Sequence, residues 1–218
     1  MEIRKNGIIY FTTDIDVVVG GMEQHLPSVE ILDTIDNLPV KKIAEYAFAS
    51  SDLLEISLPN SITQIGKGAF QNSENLMKVQ FRKPNKIPEK ILIINEFAFA
   101  GCKNLSEVWA ENKTVQLLER CFWGCYNLNR IEFLIDLLMT ESFKDCCSID
   151  YVSFANNPIF ITKAFYDLSG LKTCFFDGDA SVDDDLLKYI LNNNIKIQCL
   201  DSSNLIDLVY QGMNIEIY

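Results

Sequence analysis

The sequence predicts a repeat solenoid of the α/β type: one parallel sheet of about six rungs, closed in front by a hairpin and behind by a helix and a strand. Three observations predict it. The phenylalanines Phe48, Phe70, Phe99, Phe122, Phe143 and Phe165 recur at steps of 22, 29, 23, 21 and 22 residues, each behind a small residue (Ala47, Ala69, Ala98, Cys121, Ser142, Ala164). Six residues on comes an aliphatic (Leu76, Leu105, Leu128, Ile149, Leu171), with Leu53 one residue early in the first unit. Three and five beyond that position lie Ile56 and Leu58, Val79 and Phe81, Val108 and Ala110, Ile131 and Phe133, Val152 and Phe154, Cys174 and Phe176. A spacing of two places both side chains of a pair on one face of a short strand. A unit of this length cannot bury its own apolar side, so stacking the units is what creates a core.

The elements follow in chain order. Residues 1–39 form an N-terminal cap, in which Ile8-Ile9-Tyr10-Phe11 and Asp16-Val17-Val18-Val19 flank a polar turn and lead into Gly20-Gly21, as a hairpin does. A cap is required, because the first rung would otherwise leave its core and strand edge in water. Residues 40–178 hold the six repeats. Upstream of the phenylalanines, Val40 and Ile43, Ile62 and Ile65, Ile91 and Ile94, and Ile135 and Leu138 recur three apart, which suits a tight coil turning inward twice. Extra residues before Phe99, taken as Arg82-Lys83-Pro84-Asn85-Lys86-Ile87-Pro88, read as a protruding loop because of the prolines. The sixth unit departs from the usual spacing at Pro158-Ile159-Phe160-Ile161. Residues 179–218 close the other end. There Ser181-Val182-Asp183-Asp184-Asp185 caps a helix over Leu186, Leu187, Ile190 and Leu191, and a strand 195–199, a short helix 203–210 and a last strand 214–218 follow.

Composition narrows the function classes. A hydrophobic fraction of 48% over 218 residues is enough for a sizeable core. With 19 basic against 30 acidic residues the net charge of −11 repels nucleic acid and anionic lipid unless a basic patch overrides it. The nearest patch, Arg82, Lys83, Lys86 and Lys90, reads as a solvated loop. No stretch reaches the roughly 18 apolar residues of a spanning helix, so no membrane insertion is expected. The start, Met1 to Gly7, lacks the apolar run of a secretory signal, which leaves an intracellular chain or a trimmed one as readings.

The cysteines belong to the repeat. Cys102, Cys125 and Cys146 each lie three residues after a ladder phenylalanine, Cys121 takes the small-residue slot and Cys174 an inward strand slot. Buried free cysteine serves as a small hydrophobe, and with His25 as the sole histidine no metal site and no cofactor are expected. The triple aspartate at 183–185 lacks the other ligands of a calcium loop. Acid–base or nucleophilic catalysis needs matched groups brought together, and no such constellation stands out. No catalytic residue is therefore assigned. The alternative enzyme reading is a glycan hydrolase using carboxylates such as Glu107 and Glu132. The glycosylation-type triplets Asn104-Leu105-Ser106 and Asn112-Lys113-Thr114 are too common to fix a compartment.

The pattern small-Phe-x-x-Cys-x-x-Leu-x-x-Val-x-Leu, preceded by Ile-x-x-Ile-Gly, resembles the BspA-type leucine-rich repeats of bacterial and protist surface proteins. Ile62-Thr63-Gln64-Ile65-Gly66-Lys67-Gly68-Ala69-Phe70 and Ala98-Phe99-Ala100-Gly101-Cys102-Lys103-Asn104-Leu105 carry the resemblance most closely, and it spans residues 40–176. It implies a leucine-rich-repeat solenoid that acts in recognition or adhesion at a cell surface or after secretion, with a protein or glycan as partner. A spacer domain without its own ligand is the alternative.

The outward positions nominate the partner-binding face. Two beyond the leucine position stand Glu55, Lys78, Glu107, Arg130, Tyr151 and Thr173, whose first four alternate in sign as laterally paired side chains should. Four beyond it stand Ser57, Gln80, Trp109, Glu132, Ser153 and Phe175. Aromatic residues on a polar face are frequent interaction anchors, so Trp109, Tyr151 and Phe175, with Glu107, Arg130 and Glu132 beside them, are the candidate partner-binding residues.

Overall fold

The computed structural model describes residues 1–83, 91–160, 164, 168–181, 184–200, 204 and 214–217. The chain opens with three antiparallel strands, β1 (Glu2–Lys5), β2 (Ile8–Thr12) and β3 (Val17–Met22). The expected hairpin is β2–β3. Its partner β1 is added through Asn6-Gly7, whose φ values of 54° and 76° suit the two-residue turn that the right-handed twist of paired strands favours. Two short strands, β4 (Ser28–Glu30) and β5 (Thr34–Ile35), complete the segment before the repeats.

The repeats supply β6 (Leu38–Ile43), β7 (Glu55–Leu58), β8 (Gln64–Ile65), β9 (Lys78–Phe81), β10 (Ile91–Ile94), β11 (Glu107–Leu117), β12 (Arg130–Leu138), β13 (Tyr151–Phe160) and β14 (Thr173–Phe176). Behind them lie α1 (Asp184–Asn192), β15 (Lys196–Cys199) and β16 (Ile215–Ile217). The short helix expected at 203–210 and the ladder residue Phe165 lie outside the described residues, as does the 84–90 part of the extra loop.

Two parallel ladders run along the solenoid, the first through β16 and the second as far as β13 among the described residues. The first joins β4, β7, β9, the early halves of β11, β12 and β13, then β14, β15 and β16, so both caps extend the six repeat rungs. Its inward pairs, from Ile56 and Leu58 through to Cys174 and Phe176, are all buried. The second joins β3, β6, β8, β10 and the late halves of β11, β12 and β13. This corrects the coil expected upstream of the phenylalanines, which is largely strand. In β10 the inward residues are Leu92 and Ile94, and Ile91 is exposed, because strand alternation has period two and not three.

The turns between the ladders hold the phenylalanine spine. Phe48, Phe70, Phe99, Phe122 and Phe143 are fully buried and stack with centroids 5.0–5.5 Å apart and planes within 9° of parallel. The backbone there has positive φ two residues before and two after each ring, for instance at Phe97 and Gly101 around Phe99. This alternation aims the amides of Phe48, Phe70, Phe99 and Phe122 along the solenoid axis, onto the carbonyls of Ala69, Ala98, Cys121 and Ser142 of the next rung at 2.7–2.9 Å. Backbone groups that a helix would satisfy internally are thus satisfied between rungs, and α1 is the one α-helix among the described residues.

The slot three residues after each ring explains the cysteines. Cys102, Cys125 and Cys146 donate through Sγ to the carbonyls of Phe70, Phe99 and Phe122, one rung back, at 3.0, 3.1 and 3.1 Å. Ser73 occupies the same slot and bonds Phe48 O at 2.6 Å, so the slot selects a small donor. Burial pushes the Cys102 thiol up to about 12, and Cys121 and Cys125 well up for the same reason. Cys199, unplaced by the repeat spacing, fills an inward slot of β15, and Cys147 is exposed.

One expected loop residue is structural. Arg82 does not extend into solvent: its guanidinium reaches back to the N-terminal segment, donating to Ile31 O at 2.7 Å and pairing with Asp33 at 3.0 Å and Glu30 at 3.3 Å. These three acceptors converge on one guanidinium and tie the N-terminal segment to the end of β9.

Candidate functional site: the outward face of the first ladder

The outward face is built by strand alternation alone, since every residue between two inward side chains must face away from the core. Register holds the charge column together as far as β12: Glu55 opposes Lys78, Lys78 opposes Glu107 and Glu107 opposes Arg130. Lys78 Nζ lies 3.6 Å from Glu107. In the adjacent column Gln80, Trp109 and Glu132 are in register. The Arg130 guanidinium sits 5.5 Å from the centre of the Trp109 ring and donates through Nε to Glu132 at 3.0 Å. Trp109, Arg130 and Glu132 therefore form one contact unit, with a cation held over an aromatic face and fixed by a carboxylate.

The expected column then breaks. The repeat spacing aligns Arg130 with Tyr151 and Glu132 with Ser153, but β12 and β13 first pair at Leu134 and Ser153, two residues later. The cause is rung length. From the Trp109–Glu132 pair to the Leu117–Leu138 pair, β11 takes eight steps and β12 only six. β12 crosses taut between the ladders, while β11 and β13 carry irregularities on either side of it.

The break opens a groove of about 520 Å³, lined by Glu111, Arg130, Glu132 and Tyr151 at the rim with Ile131 and Phe133 below. Tyr151 is 39% exposed, and its hydroxyl accepts from Ser153 Oγ at 3.3 Å. A second, shallow recess of about 20 Å³ lies on the other side of Trp109, among Gln80, Arg82, Lys83 and Glu111. The structure thus gathers three of the six nominated residues, Arg130, Glu132 and Tyr151, around one opening, while Trp109, in contact with Arg130, lines the smaller recess beside it. Glu107 is committed to Lys78 beside it. Phe175, opposite Ser153 on β14, is on the same face but lines neither recess.

Two residues were missed by sequence reasoning. Glu111 lines both recesses, and its signal was the extra length of the segment after Ala110. Lys113, three residues past the inward Ala110, is buried and donates to Asn60 O at 2.9 Å and Ile62 O at 3.1 Å, with its ammonium 5.4 Å from the Phe81 ring centre. Burial first, and Lys41 second, lowers it to about 8. It anchors the irregular stretch of β11 that carries Glu111.

For the carboxylates of the alternative enzyme reading, the geometry supplies cations: Glu107 is held by Lys78 and Glu132 by Arg130. His25 pairs with Asp52 at 2.9 Å on the open surface of the cap, with both side chains more than half exposed. Among the described residues no cluster of histidine, cysteine and carboxylate groups has metal-binding geometry, and no helix is long and apolar enough to cross a membrane.

These features define a leucine-rich-repeat solenoid, and comparison with known proteins places it more narrowly. The description "BspA type Leucine rich repeat region (6 copies)" matches residues 41–169 and 83–197, and the chain belongs to that family. Among solved structures it is similar to the leucine-rich-repeat protein TpLRR of T. pallidum, with 19% identity and a TM-score of 0.60 over 90% of this chain and 98% of that one. It is also similar to a leucine-rich-repeat protein from Bacteroides capillosus, with 22% identity and a TM-score of 0.48 over 61% of this chain and 97% of that one. No curated protein matches. At these identities the likeness is one of fold.

Proposed function

We propose that this chain is a non-catalytic recognition scaffold whose outward ladder face, centred on Trp109, captures a macromolecular partner. The observation that carries this reading is the Trp109–Arg130–Glu132 unit, whose Arg130 and Glu132 line an open groove together with Tyr151 while Trp109 lines the recess beside it. Rigid aromatic area beside a fixed charge gives contact at small entropic cost, while the charges set orientation and rate. The same face suits adhesion, and a cell-surface or secreted location accords with such a role.

The test is a triple variant, Trp109→Ser, Tyr151→Ser and Phe175→Ser. None of the three fills the core, so folding should be retained, while capture of the partner weakens at least about tenfold, equivalent to about 1.4 kcal/mol. Full capture by the folded variant would assign binding to another surface. A chain that captures nothing in either form would be a spacer.

A further inference from the structure

Among the described residues the first ladder has one interruption, and we propose that it is a slot for an extended, basic peptide segment that joins the sheet along the free lips of β12 and β13. This rests on the recognition reading above and specifies its ligand. Elsewhere in the repeats the ladder is stapled at the start of each rung by one carbonyl that takes two amides from the next rung. Leu54 O accepts from Met77 and Lys78 at 2.8 and 3.3 Å, Met77 O from Ser106 and Glu107 at 2.9 and 3.3 Å, and Ser106 O from Asn129 and Arg130 at 3.2 and 3.1 Å. Asp150 O accepts from Lys172 and Thr173 at 2.9 and 3.0 Å. Between these, Asn129 O takes neither the Asp150 nor the Tyr151 amide among the described residues. Paired register resumes only at Leu134 and Ser153.

An opening in a sheet differs chemically from a pocket between side chains. Its lips are main-chain donors and acceptors at strand spacing, and unpaired strand edges are templates for another strand. A peptide backbone presents alternating donors and acceptors at that spacing, whereas a sugar or a flat aromatic ligand does not. The volume of about 520 Å³ lies within the range of binding clefts and holds a few residues, with Ile131 and Phe133 as an apolar floor.

Charge selects the side chains of the guest. Among the described residues, Glu111 and Glu132 line the groove against Arg130 alone, and Arg130 is bound to Glu132. The partner of Glu111 is Lys83, a pair 3.7 Å apart whose lysine is 79% exposed and therefore well screened. The charge left by the described lining residues is negative, as is the whole chain at −11. The exposed Tyr151 ring offers a face to a lysine or arginine of the guest.

The test uses an eight-residue peptide of alternating lysine and valine with blocked ends. Its controls are the glutamate–valine counterpart, the lysine–valine peptide N-methylated at alternate residues, and chitotriose. Titration calorimetry should show the lysine–valine peptide binding at least tenfold more tightly than either peptide control, and the double variant Glu111→Gln with Glu132→Gln should weaken it at least fivefold. Hydrogen exchange followed by NMR should show the Tyr151 amide exchanging at least tenfold faster than the Thr173 amide in the free chain, and slowing when the peptide is added. Equal binding of the N-methylated peptide, binding of chitotriose alone, or a Tyr151 amide already as protected as Thr173 would overturn the proposal. If no peptide binds while the triple serine variant still loses partner capture, the slot is refuted and recognition by the outward face stands.

Discussion

Replacing Cys102 with serine should make the fold less sensitive to alkali. Cys102 Sγ is buried, bonds Phe70 O at 3.0 Å and is pushed up to about 12 from an ordinary 9.0 by loss of solvation. A thiol whose folded pKa exceeds its unfolded value contributes stability that is fully present below pH 9 and lost as pH rises toward 12, because the unfolded chain releases the proton first. At about 1.36 kcal/mol per unit, one such thiol costs the fold about 2 kcal/mol by pH 10.5. Serine does not ionise in this range, and Ser73 shows that the slot accepts a hydroxyl, which there bonds Phe48 O at 2.6 Å. The assay is urea unfolding with reductant at pH 7.5 and pH 10.5. Both proteins should lose stability, since Cys121, Cys125 and Cys174 are raised in the same direction, but Cys102→Ser should lose about 2 kcal/mol less. Identical losses would refute the argument that the thiols are sealed in the core.

Two further outcomes are expected. Phe99→Ala removes the middle of the stacked spine and should cost about 3–5 kcal/mol in chemical denaturation, whereas an unchanged midpoint would show that the rings are not the core. Lys113 has the opposite linkage to the thiols. Its folded value of about 8 lies below the ordinary 10.5, so the penalty of burying its charge is fully present below pH 8 and relieved as pH rises to 10.5. Against Lys113→Met, the native chain should therefore gain about 3 kcal/mol between pH 7.5 and pH 10.5; parallel stability curves would show that this ammonium is solvated.

The spine, the leucine positions and the inward strand pairs were legible because each rung must place an apolar group at the same point of the core, so the pattern repeats in the sequence. The second ladder was less legible. Ile62 and Ile65, three apart, look like a coil, and Ile91 looks inward until strand pairing puts Leu92 there instead. Arg82 and Lys113 were opaque for a different reason: their acceptors, Ile31 O and Ile62 O, each lie 51 residues away in the chain. The groove depends on a mismatch in length between adjacent rungs, and the six outward residues were nominated one strand at a time. Their types were readable, but which of them share an opening followed only from where β12 and β13 pair.

Two photocrosslinking positions test most directly whether the outward ladder face around Trp109 is the recognition surface. A benzophenone side chain replaces Trp109 in one protein and Trp123 in another; Trp123 is 43% exposed and belongs to the turns that connect the ladders. Irradiated with its bound partner, the chain labelled at 109 should form a covalent adduct and the chain labelled at 123 should not. Adducts from position 123 with none from position 109 would assign recognition to the turns and not to the outward ladder face.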